Sequence, residues 1–172
     1  EDRMVGFVVY KELNPEVIFL PGYYNEVGLI LKKARSIGIT APFLGGDGWD
    51  SPKLQELAGE EGIKGNYISS HFSADDTDPV VKEFVDKYQR RYNQKPGAMA
   101  ALGYDAIWVV ADAMKRSTDL SSESIKNSIN ETKDFRGVTG IITIDSFRNA
   151  KKSAIVLETT AAGNIFKEKI MP

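Results

Sequence analysis

Apolar and polar positions along the chain follow two periods, and these predict an alternation of strands and helices. Short continuous runs rich in β-branched and aromatic residues are typical of buried strands, and apolar residues spaced three or four apart are typical of helices. The strands predicted in the first part of the chain are 6–11, 16–22, 42–46 and 65–72. The predicted helices are 25–38, 51–59, 78–93, 98–117 and 121–132.

Local signals support several of these boundaries. Gly38 predicts the end of the first helix, and Gly59 the end of the second. Ser51 followed by Pro52, and Asp78 followed by Pro79, are typical N-terminal caps. The helix over 98–117 is apolar enough that we expect much of its surface to be buried.

The end of the chain changes character, with strands predicted at 137–145, 153–160 and 163–170 and turns at 146–149 and 161–163. Strand–helix alternation predicts a mostly parallel sheet with helices on both faces. The predicted fold class is therefore α/β, a Rossmann-like or flavodoxin-like three-layer sandwich. The length of 172 residues is typical of one domain, so we predict a single α/β lobe over 1–172.

The junction between 6–11 and 16–22 departs from this scheme. Parallel neighbouring strands need a crossover of about a dozen residues or more, and only a few are present here. Three explanations stay open: the two strands pair antiparallel, the first lies elsewhere, or a connecting segment is missing.

Composition and charge exclude several classes of function. The net charge of −2 gives no electrostatic footprint for nucleic acid. The chain has no cysteine and one histidine, so disulfides, a cysteine nucleophile and an ordinary zinc site are excluded. The segment 73–78 lacks the glycine and closing glutamate of a calcium loop. A Ser-His-Asp triad would have to use His71, and the sequence has no nucleophile-elbow pattern, so we expect no catalysis. We also expect no metal and no cofactor.

Candidate binding residues follow the predicted strands. Tyr23 and Asp47 lie at strand ends one strand–helix unit apart, and ligands of parallel sheets bind at such edges. A carboxylate between glycines can approach and bind an ammonium group, and a tyrosine ring can face the same cation. The alternatives are a turn or capping aspartate and a half-buried aromatic. Trp49 has two interpretations, pocket lining and packing, and His71 is more often structural.

Several stretches together resemble a known family. They are "NPEVIFLPGYYNEVGLILKKARSIGI", "FLGGDGWDSPKL", "SSHFSADD", "VKEFVDKYQRRYNQKPGAMAALGYDAIWVVADAM" and "TKDFRGVTGIITID". Their order and spacing resemble the branched-chain amino-acid-binding proteins, the type I periplasmic binding proteins that serve ABC importers. The resemblance is to the second lobe of such a receptor, with segments that return towards the first.

This resemblance implies a non-catalytic receptor for leucine, isoleucine or valine. It implies a membrane permease as partner and an extracytoplasmic location, in the periplasm or as a cell-surface lipoprotein, although the sequence shows no signal peptide. The implied ligand-binding residues are Tyr23, Tyr24, Asp47, Gly48 and Trp49, with Asp47 binding the α-ammonium group.

The family's first-lobe segment is absent from this sequence. We therefore expect an excised or engineered lobe, or a chain with residues omitted. The alternative function is a scaffold that binds no ligand and self-associates, as a dimer or by exchanging segments, through the surface that the other lobe would cover.

Overall fold

The order of helices and strands follows the predicted alternation. The structure, a computed structural model, describes residues 10–172. Its helices are α1 Tyr24–Ser36, α2 Pro52–Ile63, α3 Pro79–Tyr92, α4 Ala98–Arg116 and α5 Ser122–Asn130. Its strands are β1 Ile18–Phe19, β2 Phe43–Gly45, β3 Asn66–Ser70, β4 Phe135–Gly137, β5 Gly140–Ile144, β6 Ala150–Lys151, β7 Ala154–Thr160 and β8 Gly163–Ile170.

The chain divides into two compact units. One comprises the described residues up to Ser70 together with Val156–Glu168, and the other comprises His71–Ile155 with Lys169–Pro172. The single lobe over 1–172 stays a prediction.

The first unit is built on a five-stranded sheet in the order β1-β2-β3-β7-β8. Strands β1 and β2 are parallel, with Ile18 opposite Phe43, and β2 and β3 are parallel, with Leu44 opposite Tyr67. The predicted α/β fold class with a mostly parallel sheet is confirmed. The carboxyl ends of β1 and β2 therefore lie side by side.

A buried asparagine joins β2, β3 and the end of α2. Asn66 is 0% exposed, and its Oδ1 accepts hydrogen bonds from the Phe43 amide at 3.0 Å and from Arg35 at 2.9 Å. Its Nδ2 donates to the carbonyls of Gly62 and Ile63. Every polar atom of this side chain is paired, as the interior of a protein requires.

The second unit contains α3, α4 and α5 and a three-stranded sheet, β4-β5-β6, whose neighbouring strands are antiparallel. The buried carboxylate of Asp105 on α4 accepts hydrogen bonds from the Val138 and Thr139 amides and from the Thr139 hydroxyl. These bonds hold the turn between β4 and β5 on α4. An aliphatic and aromatic cluster forms the core of the unit; it consists of Phe72, Val81, Phe84, Val85, Ala98, Ala101 and Val138.

Several predictions need correction, among them the strand over 137–145, which a turn at 138–139 divides between β4 and β5. Residues 10 and 11 are helical, so the strand over 6–11 is wrong there, and 6–9 lie outside the described residues. The strand over 16–22 is reduced to Ile18–Phe19. Helix α2 continues to Ile63, although Gly59, with φ 70°, interrupts its helical geometry as the glycine signal indicated.

Helix α4 is much less buried than its composition predicts. Met99 and Ile107 are 68% and 71% exposed, and Val110 and Met114 are also exposed. Apolar composition alone does not show whether another element packs on a helix face. Within residues 10–172, these side chains of α4 remain exposed to solvent.

Candidate functional site

Tyr23 and Asp47 both follow strands that end at the same edge of the parallel sheet. Tyr23 has extended backbone geometry and caps α1, and its carbonyl accepts the Val27 amide at 3.0 Å. Asp47 begins a single turn of 3₁₀ helix, Asp47–Trp49, directly after β2. The Tyr23 side chain is 71% exposed and Asp47 is exposed, so both side chains are accessible to a ligand.

Gly48 brings the two strand ends into contact. A Cβ atom placed on Gly48 would lie 2.7 Å from the carbonyl oxygen of Gly22 and 3.1 Å from Cδ1 of Tyr23. Real Cβ atoms do not come that close to a backbone oxygen, so glycine is required at this position. The 3₁₀ turn that carries Asp47 therefore packs directly against the loop that carries Tyr23.

Trp49 fixes this turn from inside the unit. The side chain is 0% exposed, and its Nε1 donates a hydrogen bond of 3.1 Å to the Leu20 carbonyl. The indole covers Gly45, where a Cβ atom would overlap the ring. The structure thus favours the packing interpretation of Trp49, and the indole braces the ends of β1 and β2.

A second carboxylate, which the sequence did not single out, follows Asp47. Asp50 Oδ1 accepts a hydrogen bond of 2.9 Å from Asn164, and its Oδ2 accepts a longer one of 3.5 Å from Ser70 at the end of β3. Partial desolvation raises the pKa of Asp50, and the negative charge of Asp47 adds to the rise, while the two hydrogen bonds oppose it. The edge is therefore an acidic site that favours a cationic group.

The spacing in "DGWD" is the signal that could have found Asp50, since one 3₁₀ turn separates it from Asp47. Its partners could not have been found this way, because Asn164 lies 114 positions further along the chain.

The two other candidate residues, Tyr24 and His71, lie outside the contact between the Asp47 turn and the Tyr23 loop. Tyr24 is the first residue of α1 and is half-buried. His71 begins the second compact unit, where its carbonyl accepts a hydrogen bond of 3.4 Å from Lys152.

The described residues also define what the site can hold. Among them, no group of three or more histidine, cysteine, aspartate or glutamate side chains is placed to bind a metal ion. No helix in residues 10–172 combines the length and the apolar character needed to cross a membrane. The chemistry that the edge offers is electrostatic, because an exposed carboxylate and an exposed aromatic ring follow neighbouring strands.

Comparison with known proteins identifies the family. The model of the periplasmic binding protein family matches residues 10–164. The chain belongs to this family. Solved structures of periplasmic binding proteins share its fold, which confirms the resemblance on which the sequence analysis relied.

Two solved periplasmic binding proteins are similar in sequence as well as fold. A leucine-binding protein from Thermotoga maritima is 37% identical and has a TM-score of 0.89 over 98% of this chain and 48% of its own. A branched-chain amino-acid transporter substrate-binding protein from Streptococcus pneumoniae, solved in complex with isoleucine, is 36% identical, with a TM-score of 0.79 over 91% of this chain and 45% of its own.

A curated relative gives the same family. The leucine-, isoleucine-, valine-, threonine- and alanine-binding protein of Pseudomonas aeruginosa is 23% identical over 137 residues, which are 78% of this chain and 35% of that protein. The chain thus spans about a third of this curated relative and about half of each solved one.

Proposed function

We propose that this chain supplies one half of a binding site for leucine, isoleucine or valine in an ABC-importer receptor and catalyses no reaction. The observation that carries the proposal is the contact of the Asp47 turn with the Tyr23 loop through Gly48. Relatives that are 36–37% identical and are described as leucine-binding or solved with isoleucine support the choice of ligand.

Each residue has a physical role in this proposal. The exposed carboxylate of Asp47 forms a charge-assisted hydrogen bond with the α-ammonium group, and the Tyr23 ring faces the same cation. Asp50 adds negative potential from beside the site. Because the Trp49 indole has no exposed surface, we assign it a supporting role in place of ligand contact. Tyr24 and Gly48 line the site through the backbone at the start of α1 and in the 3₁₀ turn.

The remaining part of the proposal concerns the whole receptor. The chain spans about half of its solved relatives, so we expect lower affinity than that of a full-length receptor. In the full receptor, ligand would stabilise a closed form that a membrane permease recognises, outside the cytoplasm.

Calorimetric titration with leucine, isoleucine, valine and, as a polar control, glutamate tests the proposal. We expect saturable heat with the three apolar amino acids only. The Asp47→Asn variant should weaken binding at least about tenfold, because a charge-assisted bond is lost. Asp86→Asn, an exposed aspartate on α3, is the matched control and should bind like the parent. Equal affinity of the two variants would contradict the site, and no heat with any amino acid would contradict the function.

A second candidate function, self-association, is favoured by the apolar face of α4. Met99, Ile107, Val110 and Met114 are spaced so that they fall on one side of the helix, and each is at least 39% exposed. A contiguous exposed apolar stripe of this kind is typical of an interface. This candidate predicts a dimer through α4.

Light scattering across a concentration series tests it. We expect the dimer fraction to rise with concentration and to fall in Ile107→Gln. The control is Leu29→Gln. Leu29 is also an exposed aliphatic residue on a helix, 59% exposed on α1, and its replacement should leave the dimer intact. A parent chain that stays monomeric at every concentration would eliminate this candidate.

A further inference from the structure

The second unit contains a cleft that the amino-acid site does not use. It has a volume of about 230 Å³ and lies between α3, α4 and β4. Its walls combine aromatic side chains with charged ones. The residues that matter for its chemistry are Glu83, Lys87, Tyr104, Trp108, Phe135 and Arg136.

Aromatic rings form one wall of the cleft. Tyr104 and Trp108, one helical turn apart on α4, have ring centroids 6.1 Å apart, and Tyr104 lies 4.9 Å from the buried ring of Phe84. Tyr104 is 38% exposed and Trp108 is 47% exposed. Their packing holds the rings in place while part of each remains open to a ligand, which suits a flat apolar group.

The polar groups of the cleft are mainly hydrogen-bond donors. The Tyr104 hydroxyl and the Trp108 indole N–H are donors on partly exposed side chains. Arg136 has a single contact of 3.5 Å, to Asp78, which leaves most of its five N–H groups available. Lys87 is a second cation in the cleft, but its pairing with Glu83 at 2.6 Å offsets its charge.

The two carboxylates of the cleft, those of Asp105 and Glu83, both have partners in the protein. Both carboxylate oxygens of Asp105 accept hydrogen bonds from Val138 and Thr139. Glu83 is engaged by Lys87. A ligand that fits this arrangement supplies acceptors of its own, and its negative charge is met by Arg136.

We propose that this cleft binds a small monocarboxylate that carries a flat apolar ring, of the arylacetate class. The ring lies against Tyr104 and Trp108, and the carboxylate accepts hydrogen bonds from Arg136, the planar donor best suited to pair with it. Lys87 contributes charge, and its pairing with Glu83 makes it the weaker partner. The volume, below the range of drug-sized sites, limits the ligand to a single ring system.

The test uses phenylacetate and indole-3-acetate as probes, with phenylacetamide as the neutral counterpart, and reads binding by calorimetry on the whole chain. We expect saturable binding of the acids with a Kd below about 1 mM, and binding of the amide at least about tenfold weaker. Failure of the acids to saturate, or equal binding of acid and amide, would overturn the proposal.

Matched variants locate the site. Arg136→Ala should weaken phenylacetate binding at least about tenfold, whereas Arg91→Ala, an exposed arginine outside the cleft, should not. Lys87→Ala should weaken phenylacetate binding less than Arg136→Ala does. Its control is Lys82→Ala, on the same helix but outside the cleft, which should leave binding unchanged. Trp108→Phe keeps a ring in the wall and should retain binding, whereas Trp108→Ala should lose it. Binding that none of these variants changes would place the probe elsewhere and refute this site.

The outcome of the phenylacetate test does not depend on the proposed amino-acid site. All the residues of the cleft belong to the second unit, whereas Tyr23 and Asp47 belong to the first. Loss of leucine binding in Asp47→Asn and loss of phenylacetate binding in Arg136→Ala are separate outcomes.

Discussion

Gly48 lies against the ring of Tyr23 so closely that a Cβ atom at Gly48 would come within 3.1 Å of Cδ1 of Tyr23. The two residues follow different strands, and parallel pairing of β1 with β2 brings them to one edge. The missing side chain of Gly48 lets the Asp47 turn pack on the Tyr23 loop. This contact is the structural basis of the proposed amino-acid site.

The first prediction concerns Gly48→Ala. The new methyl group would meet the Gly22 carbonyl at 2.7 Å, so the turn must move away from Tyr23. We expect a loss of about 1–3 kcal/mol in the free energy of unfolding, measured with urea, and weaker amino-acid binding. Gly46→Ala is the matched control, since a Cβ atom there meets nothing within 4 Å. Similar effects from both substitutions would contradict the role of the contact.

The second prediction concerns the pH dependence of stability at Asp50. Its pKa is raised in the folded state by desolvation and by Asp47. Between the unfolded and the folded pKa the folded protein binds more protons than the unfolded chain, so stability falls as pH rises through this window. Asp50→Asn removes this dependence.

We therefore expect the variant's stability, relative to the parent, to improve as pH rises through the folded pKa of Asp50. Urea unfolding of both proteins between about pH 3 and pH 7 measures it. A difference between variant and parent that stays constant over this range would show that Asp50 does not titrate differently on folding.

The third prediction concerns the buried Asn66. Replacing it with alanine leaves the Phe43 amide and the carbonyls of Gly62 and Ile63 without this partner in the interior. We expect Asn66→Ala to lower the free energy of unfolding by about 2–4 kcal/mol. Asn127→Ala, on the exposed side of α5, is the control and should stay within about 0.5 kcal/mol of the parent. A change at Asn66 as small as the control's would refute the importance of the network.

Helices with strong local signals were predictable from the sequence. Asp78 caps α3 through a hydrogen bond of 2.9 Å to the Val80 amide, as the Asp-Pro pair indicated. The end of α1 near Gly38, with φ 87°, follows from glycine's access to that conformation. The alternation of strands and helices likewise predicted that Tyr23 and Asp47 share an edge, because it depends only on the order of elements along the chain.

What the sequence left open or missed depends on contacts that local patterns do not show. The sequence could not choose between pocket lining and packing for Trp49, because its hydrogen bond to the Leu20 carbonyl and its packing on Gly45, which bury it, appear only in the fold. Asp50 gains its environment from Asn164, far along the chain. The apolar composition of α4 predicted that the helix is part of the core. Composition shows only that a helix face is suited to burial, and whether the face is buried depends on the elements that pack against it.

The measurement that tests the central claim most directly is an NMR titration of the ¹⁵N-labelled chain with leucine and with 4-methyl-2-oxopentanoate, which has the same side chain and carboxylate but no ammonium group. Our account predicts amide shifts centred on Tyr23, Asp47 and Gly48 with leucine, and much smaller ones with the oxo acid, because Asp47 binds the ammonium group. Equal shifts with both compounds, or leucine shifts that leave these three residues unchanged, would contradict it.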